Sequence, residues 1–116
     1  MFNAARFALM KPTAYLINTA RGALINDTDL IAALENGTIA GAALDVYSKE
    51  PLPADHPLRS APHCLLEPHN AFNALESTQE MSRQSALPVI DLIQGRRPDN
   101  VCNPDVWSSA NLRTRI

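Results

Sequence analysis

The sequence predicts an α/β fold built on parallel strands. Three observations carry that prediction. Short apolar runs at 14–20, 38–46 and 63–67 have the length and composition of buried strands. An amphipathic helical pattern lies between the first two, and a longer helical pattern follows the third. Strands alternating with helices are the rhythm of a parallel sheet, because returning a strand in the same direction takes a crossover long enough to hold a helix.

The first element, "NAARFALM" at 3–10, reads as a short helix stopped by Lys11-Pro12. "AYLINTA" at 14–20 is the first strand. In "INDTDLIAALENG", Asn26 or Asp27 caps a helix whose Leu30, Ile31 and Leu34 form one apolar stripe, and Gly37 stands in the position just past its end. "TIAGAALDV" at 38–46 is a run of small apolar residues, predicting a strand packed closely by helices on both faces. Four of the nine prolines fall in the loop 51–62, and "HCLLE" at 63–67 is the third strand. Asn73 and Glu76 have capping-box spacing at the start of a long helix. Its buried positions are expected at Leu75, Met81, Ala86, Val89, Ile90 and Ile93, with Gly95 ending it. Pro88 lies inside this helix and is expected to kink it, since it removes an amide donor and crowds the preceding turn. The rest of the chain reads as loop, frayed past Trp107.

Composition excludes several classes of function. With 116 residues, 46% hydrophobic and 19% charged, the chain is one globular domain or part of one. Its net charge is −2 and its basic residues are scattered, so there is no nucleic-acid footprint and no polybasic membrane patch. The apolar runs are far shorter than the roughly 18 residues of a membrane span. Cys64 and Cys102 have no CxxC partner, which fits packing in a reducing compartment; a cytoplasmic location is expected from the lack of targeting signals alone. No residue before Asp27 is acidic, as in a transit peptide, but this stretch runs straight into strand-like sequence and is read as part of the fold.

In open parallel sheets ligands bind at the carboxyl ends of the strands. Past the first strand stands Arg21; the second ends in Asp45, with Glu50 soon after; the third leads through Pro68 to His69. Histidine is the natural proton donor or acceptor near neutral pH. A carboxylate on its far nitrogen fixes the tautomer, and an arginine can hold a substrate carboxylate through paired hydrogen bonds while polarising a neighbouring carbonyl. The set suits proton transfer at a carbonyl or hydroxyl beside a carboxylate. Reduction would also need a hydride donor, which no side chain supplies. Patterning leaves bland alternatives open: Arg21 in a structural ion pair, His69 as a loop or core histidine, Asp45 as a turn cap and Glu50 merely solvated. His56 and His63, in the proline-rich stretch, are read as structural.

The linked segments "NTARGALIN", "LIAALENGTIAGAALDVYSKEPLPADHPL" and "LEPHNAF" resemble the C-terminal part of the cofactor domain of the D-isomer-specific 2-hydroxyacid dehydrogenases. The likeness runs from residue 5 to about 104. It implies the C-terminal half of a doubly wound, Rossmann-like domain in residues 1–104, with a long C-terminal helix and a flexible tail at 105–116. It also implies an NAD- or NADP-dependent oxidoreductase acting on a small 2-hydroxy or 2-oxo acid, with NAD favoured. By position, Arg21 resembles the family's substrate-carboxylate arginine, His69 its acid/base histidine and Glu50 the carboxylate paired with it. Asp45 resembles the residue that receives the nicotinamide carboxamide; Thr19 and His69 also fall at the nicotinamide end of the cofactor.

Three features depart from the family. Glu67 stands where a Thr or Ser usually precedes the Pro-His pair, so it could compete with Glu50 for His69 or point away. Pro88 interrupts the long helix. The four glycines cannot form GxGxxG, the turn that cradles the cofactor phosphates. Two readings follow. The chain is either the catalytic portion of a dehydrogenase, inactive until the phosphate-binding part is supplied, or a non-catalytic remnant or interaction module on the same fold. In both, an unpaired strand edge predicts self-association or pairing with a complementary chain.

Overall fold

The computed structural model describes residues 1–109. The chain forms two compact units, Met1–Ala71 and the segment from Phe72 onward. In the first, α1 (Ala4–Phe7), β1 (Tyr15–Asn18), α2 (Asp27–Glu35), β2 (Gly41–Leu44) and β3 (Cys64–Leu66) follow one another. The strands make one parallel sheet in the order β1-β2-β3, with Tyr15 opposite Gly41 and Ala42 opposite Cys64. The predicted α/β class and parallel sheet are therefore present, each strand being shorter than its apolar run.

Local chemistry explains the element boundaries. Asn3 caps α1 by accepting from the Arg6 amide, and the helix ends at Phe7, well short of Lys11-Pro12. Asn26, not Asp27, caps α2, accepting from the Asp29 amide at 3.1 Å. Gly37 follows at φ +65°, a left-handed turn that glycine adopts without steric cost. His56 caps the short 3-10 turn Pro57–Ser60 through its ring, and its other nitrogen lies 3.7 Å from Asp27, a structural role as expected.

Phe7 of α1, Leu30 and Leu34 of α2, and Leu16, Ala42 and Leu44 of the sheet share one core with Ile39, Leu52 and Leu58. Both helices thus lie on the same sheet face. The expectation of helices on both faces fails: Tyr15, Ile17 and Leu65, on the alternate positions, are exposed at 71%, 71% and 59%. The crossover between β1 and β2 supplies a single helix, and α1 packs beside it, so this unit has nothing to lay on the other face.

In the second unit, α3 (Leu75–Ile93) is a single helix that continues through Pro88, and Gly95 follows its end at φ +72°. The capping box does not form. The Ala74 amide turns back to the Phe72 carbonyl at 2.8 Å, making Ala74 the cap, so Glu76 sits one position too early to close the box. The expected burial of Leu75, Met81, Ala86, Val89, Ile90 and Ile93 is also corrected, because α3 has no buried residue. Among the described residues its own unit contributes only the 3-10 turn Pro104–Ser108 besides, which cannot cover an apolar stripe of five turns. Arg83 and Gln84 hold the Glu80 carboxyl down to about 2. Trp107 lies within that turn, under the Arg97 guanidinium; most of the expected flexible tail, from 110 to 116, lies outside the described residues.

Candidate active site

The three strand exits meet on one rim of the first unit, and main-chain hydrogen bonds fix each of them. Past β1, the buried Asn18 side chain folds over its own turn. It accepts from the Ala20 amide at 3.1 Å and donates to the Arg21 carbonyl at 3.0 Å. Gly22 comes next, with φ unexceptional but no room for a side chain. A Cβ there would lie 1.9 Å from the Tyr47 carbonyl carbon and 2.3 Å from the Ser48 nitrogen. The Arg21 turn and the segment beyond β2 are pressed together at backbone contact.

Past β2, the Tyr47 amide donates to Glu50 Oε1 at 2.9 Å. The Tyr47 hydroxyl lies 2.8 Å from the Glu67 carbonyl and 3.1 Å from that of Leu44, so it links the ends of β2 and β3. Burial pushes the Tyr47 phenol up. The peptide bond between Glu50 and Pro51 is cis. Past β3, His69 adopts a left-handed backbone, φ +58°. Its Nδ1 lies 2.7 Å from Glu50 Oε2.

Both oxygens of Glu50 are therefore engaged, one by a main-chain amide and the other by the imidazole. The Tyr47 amide is the larger influence holding its carboxyl below the usual range, followed by the His69 hydrogen bond; the charges of His69 and Arg21 add to it. An ionised Glu50 accepts, so His69 Nδ1 carries the hydrogen and Nε2 is the ring atom left to exchange a proton. Arg21 is exposed and makes no ion pair among the described residues. It donates to the Ala20 carbonyl at 2.6 Å, and its field reaches Glu50. The structural ion pair that patterning left open for Arg21 is not formed.

Asp45, 5% exposed, is held below the ordinary carboxylate range. Burial acts the other way and is the largest single influence, but the Ala71 and Asn70 amides, with the charge and amide of His69, together outweigh it. Thr19 is exposed on the same turn as Arg21. Glu67 enters through its carbonyl, and no hydrogen bond or ion pair joins its carboxylate to His69, so of the alternatives left open the competition with Glu50 is not the one formed. A cleft of about 420 Å³ opens beside the pair, lined by Tyr47, Leu52, Arg59 and Leu66 among others. Arg59 is tied to the Pro53 and Leu52 carbonyls at 2.8 and 2.6 Å.

Arg21, Glu50, His69 and Asp45, singled out by position past the strands, are all at these exits. Three residues that organise them were missed in the sequence. Gly22 carried a weak signal, being a glycine next to a candidate arginine. Asn18 and Tyr47 carried none, since they act through main-chain partners that only the fold brings near.

No group of three or more metal-ligating side chains occurs among the described residues. The chemistry of the rim fits the nicotinamide end of a dinucleotide: a buried carboxylate with acceptor capacity at Asp45, and an accessible turn at Thr19 past β1.

Residues 1–71 match the family described as D-isomer specific 2-hydroxyacid dehydrogenase, NAD binding domain. The glyoxylate reductase of Thermofilum pendens is 43% identical over 106 residues, covering 91% of this chain and 31% of the relative. Among solved structures, the NADPH-dependent glyoxylate/hydroxypyruvate reductase of Sinorhizobium meliloti superposes with a TM-score of 0.71 at 34% identity, over 86% of this chain and 32% of that one. The NAD-complexed D-isomer specific 2-hydroxyacid dehydrogenase of Lactobacillus delbrueckii gives a TM-score of 0.71 at 33% identity, over 89% and 35%. The chain thus spans about a third of the length of these relatives.

Proposed function

The chain belongs to the NAD-binding-domain family of the D-isomer specific 2-hydroxyacid dehydrogenases, and on that premise we propose that it is the catalytic portion of an NAD(P)-dependent reductase of small 2-oxo acids. The observation that carries this reading is the 2.7 Å Glu50–His69 pair, with Arg21, in no ion pair among the described residues, close enough for its charge to act on Glu50. In it, Arg21 holds the substrate carboxylate through paired hydrogen bonds and draws electron density from the adjacent carbonyl. His69, protonated at both nitrogens, gives its Nε2 proton to the carbonyl oxygen as that oxygen gains charge, and Glu50 stays ionised to steady the imidazolium. Asp45 and Thr19 would hold the nicotinamide end, with His69 beside it. A reduced nicotinamide, when bound, supplies the hydride. In the direction of oxidation, His69 takes the hydroxyl proton.

We take residues 1–104 as part of the cofactor domain, with the segment from 105 as its tail. The sequence has no GxGxxG, so the isolated chain is expected to bind NADH weakly; a fluorescence titration giving a low-micromolar Kd would contradict this. The bare strand edge at β1 is expected to draw the chain into self-association or pairing with a complementary chain, which a monodisperse, cooperatively melting monomer would refute.

The decisive experiment joins this chain to the phosphate-binding half of a relative and follows NADH and NADPH oxidation with glyoxylate and hydroxypyruvate. Turnover is expected, and His69→Ala should remove it. An assembled protein that binds nucleotide yet reduces no 2-oxo acid would favour the second reading, a non-catalytic module.

A further inference from the structure

The Asp45 carboxylate is nearly buried, and the chain spends it on main-chain atoms. Oδ1 accepts from the Asn70 amide at 2.8 Å and Oδ2 from the Ala71 amide at 2.9 Å. These two amides directly follow His69, whose left-handed φ of +58° is a conformation that a side chain with a Cβ rarely adopts. Such a backbone persists only where its surroundings impose it. Here the imposed contacts are visible: two successive amides drawn onto one ionised carboxylate, a concave arrangement suited to an anion. Asp45 is itself fixed, its own amide donating to the Asn18 carbonyl at 3.0 Å across the ends of β1 and β2.

We infer that Asp45 is a positioning residue for His69: by holding the Asn70 and Ala71 amides it imposes the left-handed turn that aims the imidazole at Glu50. This rests on the acid/base reading of His69 and adds to the cofactor contact that the resemblance gives to Asp45. The two roles are separable. A residue that only met the cofactor would leave the His69 turn unchanged when altered in the cofactor-free chain. A residue that only stabilised the fold would, when altered, loosen the sheet as a whole.

The test uses Asp45→Asn in the full chain without nucleotide, followed by NMR. An amide side chain offers one acceptor oxygen in place of two, and its NH₂ faces an N–H donor. Hydrogen exchange at Asn70 and Ala71 should speed up at least about tenfold, while Ala42 and Leu44 in β2 keep their protection. The His69 ring nitrogens should lose the single Nδ1–H tautomer pattern of the wild type and show averaging. Unchanged exchange at Asn70 and Ala71 together with an unchanged tautomer would overturn the inference. In the wild-type chain, which needs no variant, both amides should show through-hydrogen-bond coupling to the Asp45 carboxylate carbon; its absence would also overturn it. Neither readout depends on turnover. An inactive enzyme would therefore count against the acid/base reading and leave the positioning role to be decided by exchange.

Discussion

Gly22→Ala is the substitution whose consequence can be worked most directly from the geometry. The added Cβ would stand 1.9 Å from the Tyr47 carbonyl carbon, 2.2 Å from its oxygen and 2.3 Å from the Ser48 nitrogen. Non-bonded heavy atoms settle near 3.5 Å, so the two segments must part by roughly 1.2–1.6 Å. All three obstacles are backbone atoms and none can rotate away. Overpacking of this kind costs about 1–3 kcal/mol, and the absence of a flexible neighbour places Gly22→Ala at about 3 kcal/mol or beyond. Gly37→Ala is the matched control. Its Cβ meets nothing within 4 Å, and only its φ of +65° opposes the change, which costs about 1 kcal/mol. Both replacements restrict the unfolded chain equally, so that contribution cancels in the comparison. Urea unfolding of the two variants should separate them by about 2 kcal/mol. In the assembled enzyme Gly22→Ala should also cost on the order of 100-fold in kcat/KM, because Arg21 and Glu50 ride on the segments that part and a displacement of about 1 Å has that effect. Equal stabilities for the two variants would refute the claim that backbone contact between these exits holds the site together.

Arg21→Lys keeps the charge but loses the planar pair of donors; in the assembled enzyme it should lower kcat/KM for a 2-oxo acid by about 10–100-fold, mainly through KM, as expected for charged hydrogen bonds of about 1.5–3 kcal/mol. Wild-type values in Arg21→Lys would remove the arginine from substrate binding. Acid should destabilise the chain in a defined window. Asp45 and Glu50 both titrate below their ordinary values of 3.8 and 4.5, so their contribution is complete above that range and is lost as pH falls through the lower folded values. Urea midpoints should therefore stay level down to about pH 4.5 as far as these two groups are concerned, then drop. Asp45→Asn combined with Glu50→Gln should flatten the drop, and an equally steep fall in that double variant would mean other groups drive it.

The sequence disclosed elements whose signals are local. A cap at Asn26, a left-handed glycine at Gly37 and an apolar stripe through Leu30 and Leu34 each depend on neighbours a few residues away, and all appear where the pattern put them. The expectations that failed needed tertiary information. Burial of Leu75, Met81 and Ile93 requires a second apolar surface, which α3 alone cannot announce, and the bare face at Tyr15 and Ile17 reflects the helices the first unit itself supplies. The capping box at Asn73 failed by a single position, because a turn at Phe72–Ala74 moved the helix start.

The site divides along the same line. Arg21, Glu50 and His69 were legible because residue type and place after a strand both point to chemistry. Asn18 and Tyr47, which hold the exits in place, were not, since they act on carbonyls and amides, which every residue possesses; Asp45 was legible as a strand-end carboxylate, but its hold on the Asn70 and Ala71 amides was not. That division has a consequence for how the site forms. The hydrogen bonds that fix Glu50, the Arg21 turn and the His69 turn all come from residues 18–71 of this chain. The geometry of the Glu50–His69 pair therefore does not wait for the further two thirds of a full-length relative. What such length would add is a grip on the nucleotide phosphates and walls around the substrate, so supplying it should change binding constants far more than the Glu50–His69 distance.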